Sequence, residues 1–367
     1  MEFVPNYDES QVPDYVLPDP LLCEDGTRVD TPDLWRSKRR PELIRLFETH
    51  VYGRAPVGRP EAMHWRELSR DGAVLGGEAT EINLAVWFAD GKSGLKLTVK
   101  IHLPNTTPGP VPAFVGMNHW DDETTVRRAI RRGYGMVTAF YLDLAPDEHD
   151  GWATGAVPFF LAEGQTEPAP DEWGTLAVWA WGVSRAIDVL EELPEIDAKR
   201  LAVMGHSRQG KAALWAGATD ERIALTISNN SGCGGAALSR RRFGETLLQI
   251  NHAFPNWFCG NFKRYIEKEH ELPVDQHQLV ALIAPRPVYV NSAIDDGWAD
   301  PKGEFLACYH ASPVYELFGY APIAVREMPP VHEPVRGVIG YHIREGDHGV
   351  TEYDWERWFE QMEARVL

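Results

Sequence analysis

RLAVMGHSRQGKAALWAGA, residues 200–218, places a single serine between an apolar run and an alanine-rich segment. The apolar residues 201–204 predict a buried parallel strand, and the segment from Arg208 onward predicts a helix. Ser207 would then lie on the sharp turn that joins strand to helix, where Gly205 lets the two elements pass closely. Such a turn can present a nucleophilic side chain, so Ser207 is the first candidate for a functional residue.

The chain on either side of this stretch predicts an α/β protein. Apolar runs that end in polar residues alternate with helical segments; the runs are PVPAFVGM, MVTAF, RIALTIS and RPVYVNS, and the helical segments are TTVRRAIRR and GTLAVWAWGVSRAIDVLEEL. This order predicts a mostly parallel sheet with helices on both faces, a three-layer sandwich. Before it, TEINLAVWF and LKLTVKIHLP, joined by ADGKSG, predict an antiparallel hairpin.

Polar clusters follow four of the predicted strands, at residues 118–122, 207–211, 229–235 and 295–300. Ligands bind outside the carboxyl ends of the strands in such sheets, so we expect these clusters to converge at one edge. The first cluster begins the segment NHWDDE, which matches no zinc-binding spacing, and no metal site is expected. We interpret this segment as one wall of a cleft, in which His119 contacts the substrate.

The N-terminal part of the chain has a different pattern. Residues 1–70 are predicted to form an arm and a lead-in helix, RRPELIRLFETHVYG, that ends at Gly53. Residues 71–367 are predicted to form the main α/β domain. We expect the arm to pack on this domain, so that the whole chain forms a single domain.

The composition argues against two classes of partner. The 36 basic and 54 acidic side chains give a net charge of -18, so binding through neutralisation of nucleic acid phosphates is not expected. No apolar run approaches the roughly 18 residues of a membrane span, so no membrane partner is expected either. We expect a monomer.

Two features bear on the compartment. The four cysteines, Cys23, Cys233, Cys259 and Cys308, form no CxxC pair, which excludes a zinc ribbon or a thioredoxin-like motif and leaves their disulfide state open. The N-terminal residues MEFVPNYDESQVPDYVLPDP lack the basic and apolar regions of a signal peptide. The location therefore stays open: cytoplasmic as written, or periplasmic or secreted if the sequence was trimmed.

A serine nucleophile needs a histidine that takes its proton and an acid that orients the histidine, in the chain order serine, acid, histidine for an α/β-hydrolase fold. His348, in a glycine-flanked loop before the last amphipathic segment, fits better than His342, which lies within the predicted strand VIGYHI. The acid is expected after PVYVNS. Asp300 precedes a proline and can shape a turn; we favour Asp296, with Asp295 as the rival.

The serine motif departs from the usual G-x-S-x-G. Gln209 occupies the position of the second glycine, and Gly210 follows one residue later. The pattern alone does not distinguish a nucleophile from a serine that caps the helix KAALWAGA, because serine is a favoured cap. The assignment therefore depends on the partner residues.

Several segments together resemble the glucuronoyl esterases, carbohydrate esterase family fifteen. They are GHSRQGKAALWAGATDERIALTISNNSGCGGAALSRR, GET, INHAFPNWFCGNF and DDGWADPKGEF. The resemblance extends from YGRAP to the histidine loop, and the G-x-S-R-x-G-K turn is specific to it. It implies an α/β-hydrolase fold and, without a cofactor, hydrolysis of the ester between a 4-O-methyl-glucuronic acid side group of xylan and an alcohol of lignin through an acyl-enzyme.

The resemblance also implies roles for four more residues. Arg208, directly after the serine, would help the backbone N–H bind the oxyanion. Lys211 would touch sugar hydroxyls. Glu245, in GET, and Trp298, in DGW, would line the sugar site.

One position differs from many members of that family. They carry the catalytic acid as a glutamate in the segment that matches SNNSGCGG, where this chain has Asn230. An amide cannot stabilise an imidazolium as a carboxylate does. The role is therefore expected to pass to Asp296.

Two other functions fit parts of the pattern. An acetylxylan esterase or general carboxylesterase would need the same triad but not Lys211, Glu245 and Trp298. A non-catalytic carbohydrate-binding protein would carry a decayed triad, in which Asp296 does not reach His348.

Overall fold

The computed structural model describes residues 4–89, 94–117 and 120–367. These residues form one nine-stranded sheet in the order β1-β2-β3-β5-β4-β6-β7-β8-β9. The strands are β1 (His64–Ala73), β2 (Ala79–Trp87), β3 (Lys96–Pro104), β4 (Val111–Met117), β5 (Gly135–Ala139), β6 (Ile196–His206), β7 (Leu225–Asn229), β8 (Val288–Ala293) and β9 (Ile339–Arg344).

The helices connect and cover these strands. They are α1 (Pro32–Leu34), α2 (Arg40–Phe47), α3 (Val74–Gly77, a single turn), α4 (Glu123–Arg131), α5 (Thr175–Leu190), α6 (Arg208–Thr219), α7 (Leu247–Ala253), α8 (Gln276–Ala281), α9 (Pro301–Leu317) and α10 (Glu352–Arg365). Wider π-helical turns follow α1 and α2, and the lead-in helix ends at Gly53, whose φ is 85°.

The sheet is parallel from β5 to β9, and β1, β2 and β3 form an antiparallel edge. The pairing of β2 with β3 confirms the predicted hairpin, although residues 90–93 of its ADGKSG turn lie outside the described residues. Residues 118 and 119 of the first polar cluster also lie outside them. The other three clusters follow β6, β7 and β8 at their carboxyl ends, as expected.

Alternate residues of β4 pack on opposite faces of the sheet. Ala113 and Val115 belong to the larger apolar cluster, which α5, α6, α8 and α9 cover, whereas Phe114 belongs to a second cluster with α4 and meets the rings of Trp355 and Phe359 of α10. This alternation follows from the two-residue period of a strand that is buried on both faces. The predicted three-layer α/β-hydrolase architecture is confirmed.

The sequence did not predict β1. Its ten residues are almost all exposed, so they lack the apolar alternation that identifies a half-buried strand. Arg70 lies inside this strand, and Leu21 and Val29 of the arm are buried in the same apolar cluster as the main sheet. The division after residue 70 stays a prediction.

Two other sequence features can be located. The four cysteines are buried and free, so none forms a disulfide. Across residues 4–89, 94–117 and 120–367, helices with the length and apolar character of a membrane span are absent.

A buried carboxyl group joins α9 to β8 and to the loop after β7. Glu304 accepts hydrogen bonds from the Ser292 hydroxyl at 2.6 Å, the Gly232 N–H at 3.0 Å and the Ser231 hydroxyl at 3.2 Å. Burial raises the pKa of Glu304 to about 8 despite these donors, and the nearby Asp296 carboxylate acts in the same direction. The remaining titratable neighbours, Cys308 and Tyr341, are buried and neutral.

This raised pKa predicts that stability falls as the pH rises. The ordinary pKa of a glutamate is 4.5, so the contribution of Glu304 is complete below that pH and is lost as the pH approaches about 8. We expect wild-type protein to lose at least about 1 kcal/mol more unfolding free energy between pH 5 and pH 8 than Glu304→Gln. Denaturant titrations at both pH values, with the exposed Glu61→Gln as control, measure this. Parallel pH curves for wild type and Glu304→Gln would contradict it.

Candidate active site

The turn between β6 and α6 holds Ser207 in an uncommon backbone conformation. Its φ is 58° and its ψ is -125°, a region that costs a non-glycine residue about 1–3 kcal/mol. Its N–H donates to the Asn229 carbonyl at 2.9 Å, which ties the turn to β7. Surrounding structure therefore holds Ser207 at the carboxyl edge of the sheet.

Close steric contacts explain why the two positions of this turn, 205 and 210, are glycines. A Cβ at Gly205 would lie 2.1 Å from the Gln209 carbonyl oxygen, so strand and helix could not pass as they do. A Cβ at Gly210 would lie 3.1 Å from the Ser228 hydroxyl and from Cβ of Ser231. The close approach of α6 to β7 thus falls at residue 210, which accounts for the glycine one position later than in the usual motif.

Ser207 and His348 line the same cleft, which has a volume of about 710 Å³. Trp120, Tyr141 and Trp355 also line it. A cleft of this size is within the range of small-molecule sites.

His348 lies on the loop after β9 and meets a buried carboxylate. Its Nδ1 lies 2.6 Å from Oδ2 of Asp296, and the Asn230 side-chain amide donates to the same oxygen at 2.8 Å. Burial alone would raise the pKa of Asp296, but the contacts with His348 and Asn230 outweigh it and lower that pKa. Asp296 is therefore ionised at neutral pH and able to fix the imidazole.

The other two candidate acids do not contact this histidine in the structure. Asp295 is exposed, and its backbone N–H donates to the Gly346 carbonyl at 3.2 Å. Asp300 caps α9 by accepting from the Gly303 N–H at 2.9 Å, and it pairs with Arg241 at 2.8 Å. Its helix-capping contact agrees with the expected turn role.

His342 lies inside β9 and serves a buried network. Its Nε2 lies 2.9 Å from Asp354 and its Nδ1 lies 3.0 Å from the Tyr289 hydroxyl. The neighbouring Arg344 also pairs with Asp354 and donates to the Gly349 carbonyl at 2.7 Å. Arg344 thus fixes the loop that carries the candidate histidine, a contact that the sequence did not indicate.

The residue before the serine also contacts the candidate histidine. The His206 and His348 rings lie 4.4 Å apart between centroids. Burial, together with the charge of His348, lowers the pKa of His206 to about 4. His206 is therefore neutral at neutral pH and packs against His348.

The Arg208 side chain lies against the segment that follows α7. Its guanidinium pairs with Asp147 and lies 4.8 Å from the ring centroid of Trp257 and 5.1 Å from that of Phe254. Trp257 in turn donates its ring N–H to Asp147 at 2.7 Å. The guanidinium is therefore held in one place beside Ser207 by residues that the sequence did not single out.

The three residues implied to read a sugar lie close together. Lys211 is buried; its ammonium donates to the Ser231 carbonyl and lies 5.6 Å from the Trp257 ring centroid. Burial raises the pKa of Glu245, and Lys211 and a hydrogen bond from Trp298 offset this only in part. The Glu245 N–H donates to the Trp298 carbonyl at 2.9 Å.

Two further expectations concern His119 and a metal site. His119 lies outside the described residues, so its predicted substrate contact stays a prediction. Among the residues that the structure does describe, no group of three or more histidine, cysteine, aspartate or glutamate side chains is arranged to hold a metal ion.

Comparisons with known proteins agree on one family. The family profile described as "Glucuronyl esterase, fungi" matches residues 86–319. Carbohydrate esterase MZ0003, from an unknown prokaryotic organism, is 42% identical over 97% of this chain and 90% of its own length.

Solved structures agree with these matches. A glucuronoyl esterase from Solibacter usitatus matches with a TM-score of 0.92 at 41% identity, covering 98% of this chain and 100% of its own. A serine-to-alanine variant of a glucuronoyl esterase from Sporotrichum thermophile, in complex with methyl 4-O-methyl-β-D-glucopyranuronate, matches with a TM-score of 0.73 at 26% identity. The match covers 95% of this chain and 87% of that one. This chain therefore belongs to the glucuronoyl esterases, carbohydrate esterase family 15.

Proposed function

We propose that this protein is a serine carboxylesterase that cleaves esters of glucuronic acid or 4-O-methyl-glucuronic acid through an acyl-enzyme on Ser207. One observation carries the mechanism: Ser207 and His348 share a cleft, and His348 Nδ1 lies 2.6 Å from the buried Asp296 carboxylate. All of these residues come from one chain, so the proposed site is complete in a monomer.

In the first step His348 takes the proton of the Ser207 hydroxyl through Nε2, and the serine oxygen attacks the ester carbonyl carbon. Asp296 holds Nδ1–H and stabilises the imidazolium that forms. The imidazolium then gives its proton to the oxygen of the leaving alcohol as the ester bond breaks. Water attacks the acyl-enzyme with the same proton transfers and releases the uronic acid.

The oxyanion would form beside the first turn of α6. The N–H groups of the first turn of a helix have no acceptor within the helix, so the Arg208 N–H is suited to this role. The fixed guanidinium of Arg208 adds a positive charge near the developing negative one. Removing one such donor typically lowers the rate by about 100–1,000-fold.

The two parts of the ester would lie on different sides of Ser207. The residues lining the 710 Å³ cleft, within the described chain, do not include Lys211, Glu245 or Trp298. We assign these three to the sugar of the acyl group, because an ammonium, a carboxyl group and a half-exposed tryptophan suit hydroxyls and a sugar face. The leaving alcohol is assigned to the cleft, where Trp120 and Trp355 supply apolar surface.

The substrate assignment predicts a preference that simple assays can measure. We expect benzyl glucuronate to be hydrolysed with a kcat/KM at least about 100-fold above that of an acetylated xyloside, because Lys211 and Glu245 contact the sugar of the acyl group, and an acetyl group offers them no sugar. Lys211→Ala should lower kcat/KM for benzyl glucuronate about 10-fold and leave turnover of an aryl acetate within about twofold. Equal activity on both sugars would contradict the substrate assignment.

Ser207→Ala is the matched control that tests whether Ser207 is the nucleophile. A fluorophosphonate probe should label the wild type at Ser207 and leave Ser207→Ala unlabelled, because only the hydroxyl forms the adduct. Without an adduct on the wild type, the serine mechanism fails and a carbohydrate-binding role is favoured.

The assignment of the acid predicts a contrast between adjacent residues. Asp296→Asn should lower kcat by roughly 1,000–10,000-fold, since an amide would favour the wrong imidazole tautomer. Asp295→Asn, at an exposed position, should stay within about twofold of wild type. Steady-state kinetics on benzyl glucuronate, with thermal melting as a check of folding, give the answer. A large loss of kcat in Asp295→Asn together with a small loss in Asp296→Asn would overturn the assignment.

A further inference from the structure

The first part of the N-terminal arm, residues 4–12, is fixed at the edge of the sugar side of the site. The Asn6 carbonyl accepts from the Gly244 N–H at 2.8 Å, next to Glu245. Glu9 pairs with the buried Arg241 and with Lys302, the latter at 2.7 Å. These contacts lie on both sides of Tyr7 along the chain, so the backbone of Tyr7 is held in place.

The Tyr7 ring is fixed at its base and open on one side. A Cβ at Gly297 would lie only 3.1 Å from Tyr7 Cδ1, and the Phe243 ring meets Tyr7 edge-on at 6.2 Å between centroids. Burial and the Asp296 carboxylate raise the pKa of the Tyr7 hydroxyl. Even so, 55% of Tyr7 is exposed.

A second aromatic ring lies at the same rim. Trp298 directly follows Gly297, is 40% exposed, and receives the Glu245 N–H at its carbonyl oxygen. Aromatic side chains with an apolar face and a polar tip suit a ligand that is apolar on one side and hydroxylated at its edges. A sugar ring has this character.

We propose that Tyr7 is a substrate-contact residue and that its ring binds the carbohydrate chain that carries the uronate. Lys211 and Glu245 are buried at the base of the sugar side, whereas Tyr7 and Trp298 form its exposed rim. A sugar linked to the uronate has to leave the site past this rim. The inference rests on the proposed function, because it takes the acyl group to lie on this side of Ser207.

The test compares two benzyl esters, one of methyl glucuronoside and one of a glucuronosyl-xylotriose. In the wild type the oligosaccharide ester should have the lower KM. Tyr7→Ala should raise the ratio of its KM to that of the monosaccharide ester about fivefold, the size expected for one lost ring contact, with the kcat ratio unchanged. Tyr7→Phe keeps the ring and should keep the wild-type ratio. Val4→Ala, 85% exposed on the same arm, is the matched control, and melting curves check folding.

Binding separates the two possible failures. In the inactive Ser207→Ala background, the acid form of the glucuronosyl-xylotriose should bind about fivefold more weakly after Tyr7→Ala. If the wild type hydrolyses neither ester, the proposed function fails, and this binding measurement still decides the role of Tyr7. An active wild type whose KM ratio is unchanged by Tyr7→Ala, or oligosaccharide binding that is absent or unchanged, overturns the inference.

Discussion

The hydrogen bond between His348 Nδ1 and Asp296, 2.6 Å long, is the constraint on which the site depends. Asp296 follows β8, His348 follows β9 and Ser207 follows β6. The register of these parallel strands is what brings the three residues to the same edge of the sheet. Arg344 holds the loop before α10 through the Gly349 carbonyl, and Asn229 donates to the same carbonyl at 3.2 Å. The contacts to the Gly349 carbonyl thus fix the loop that carries His348, and Asp296 fixes the orientation of its imidazole ring.

Asn230 leaves Asp296 as the single carboxylate that contacts the His348 imidazole. The family resemblance implies a glutamate at this position, yet here its amide donates to the oxygen of Asp296 that contacts the imidazole. Two carboxylates at this distance would share a proton, and the pKa of one of them would rise. An amide at residue 230 instead favours the ionised form of Asp296. The φ of 46° at this position also suits asparagine, which tolerates left-handed backbone better than most residues.

The sequence was sufficient for the features that local patterns encode and insufficient for those that tertiary contacts create. The apolar runs predicted β4 to β9, because strands buried on both faces are apolar throughout, and alternating apolar residues predicted the hairpin of β2 and β3. The choice between Asp295 and Asp296 depends on the tight turn after β8, whose direction no periodicity reveals. Asp147 and Tyr7 lie far along the chain from Arg208 and Trp298, so only the folded chain brings them to the site.

Arg208 illustrates how the fold prepares the site for a negative charge. A guanidinium free in solution would have to reorient as the oxyanion forms, which reduces its benefit. Here Asp147 and two aromatic rings hold it, and Trp257 occupies one further lone pair of Asp147. The paired carboxylate weakens the field of the guanidinium at the reacting carbon. In the proposed mechanism the backbone N–H of the first turn of α6 would therefore supply much of the stabilisation, and the strained turn at Ser207 would place that N–H beside the ester.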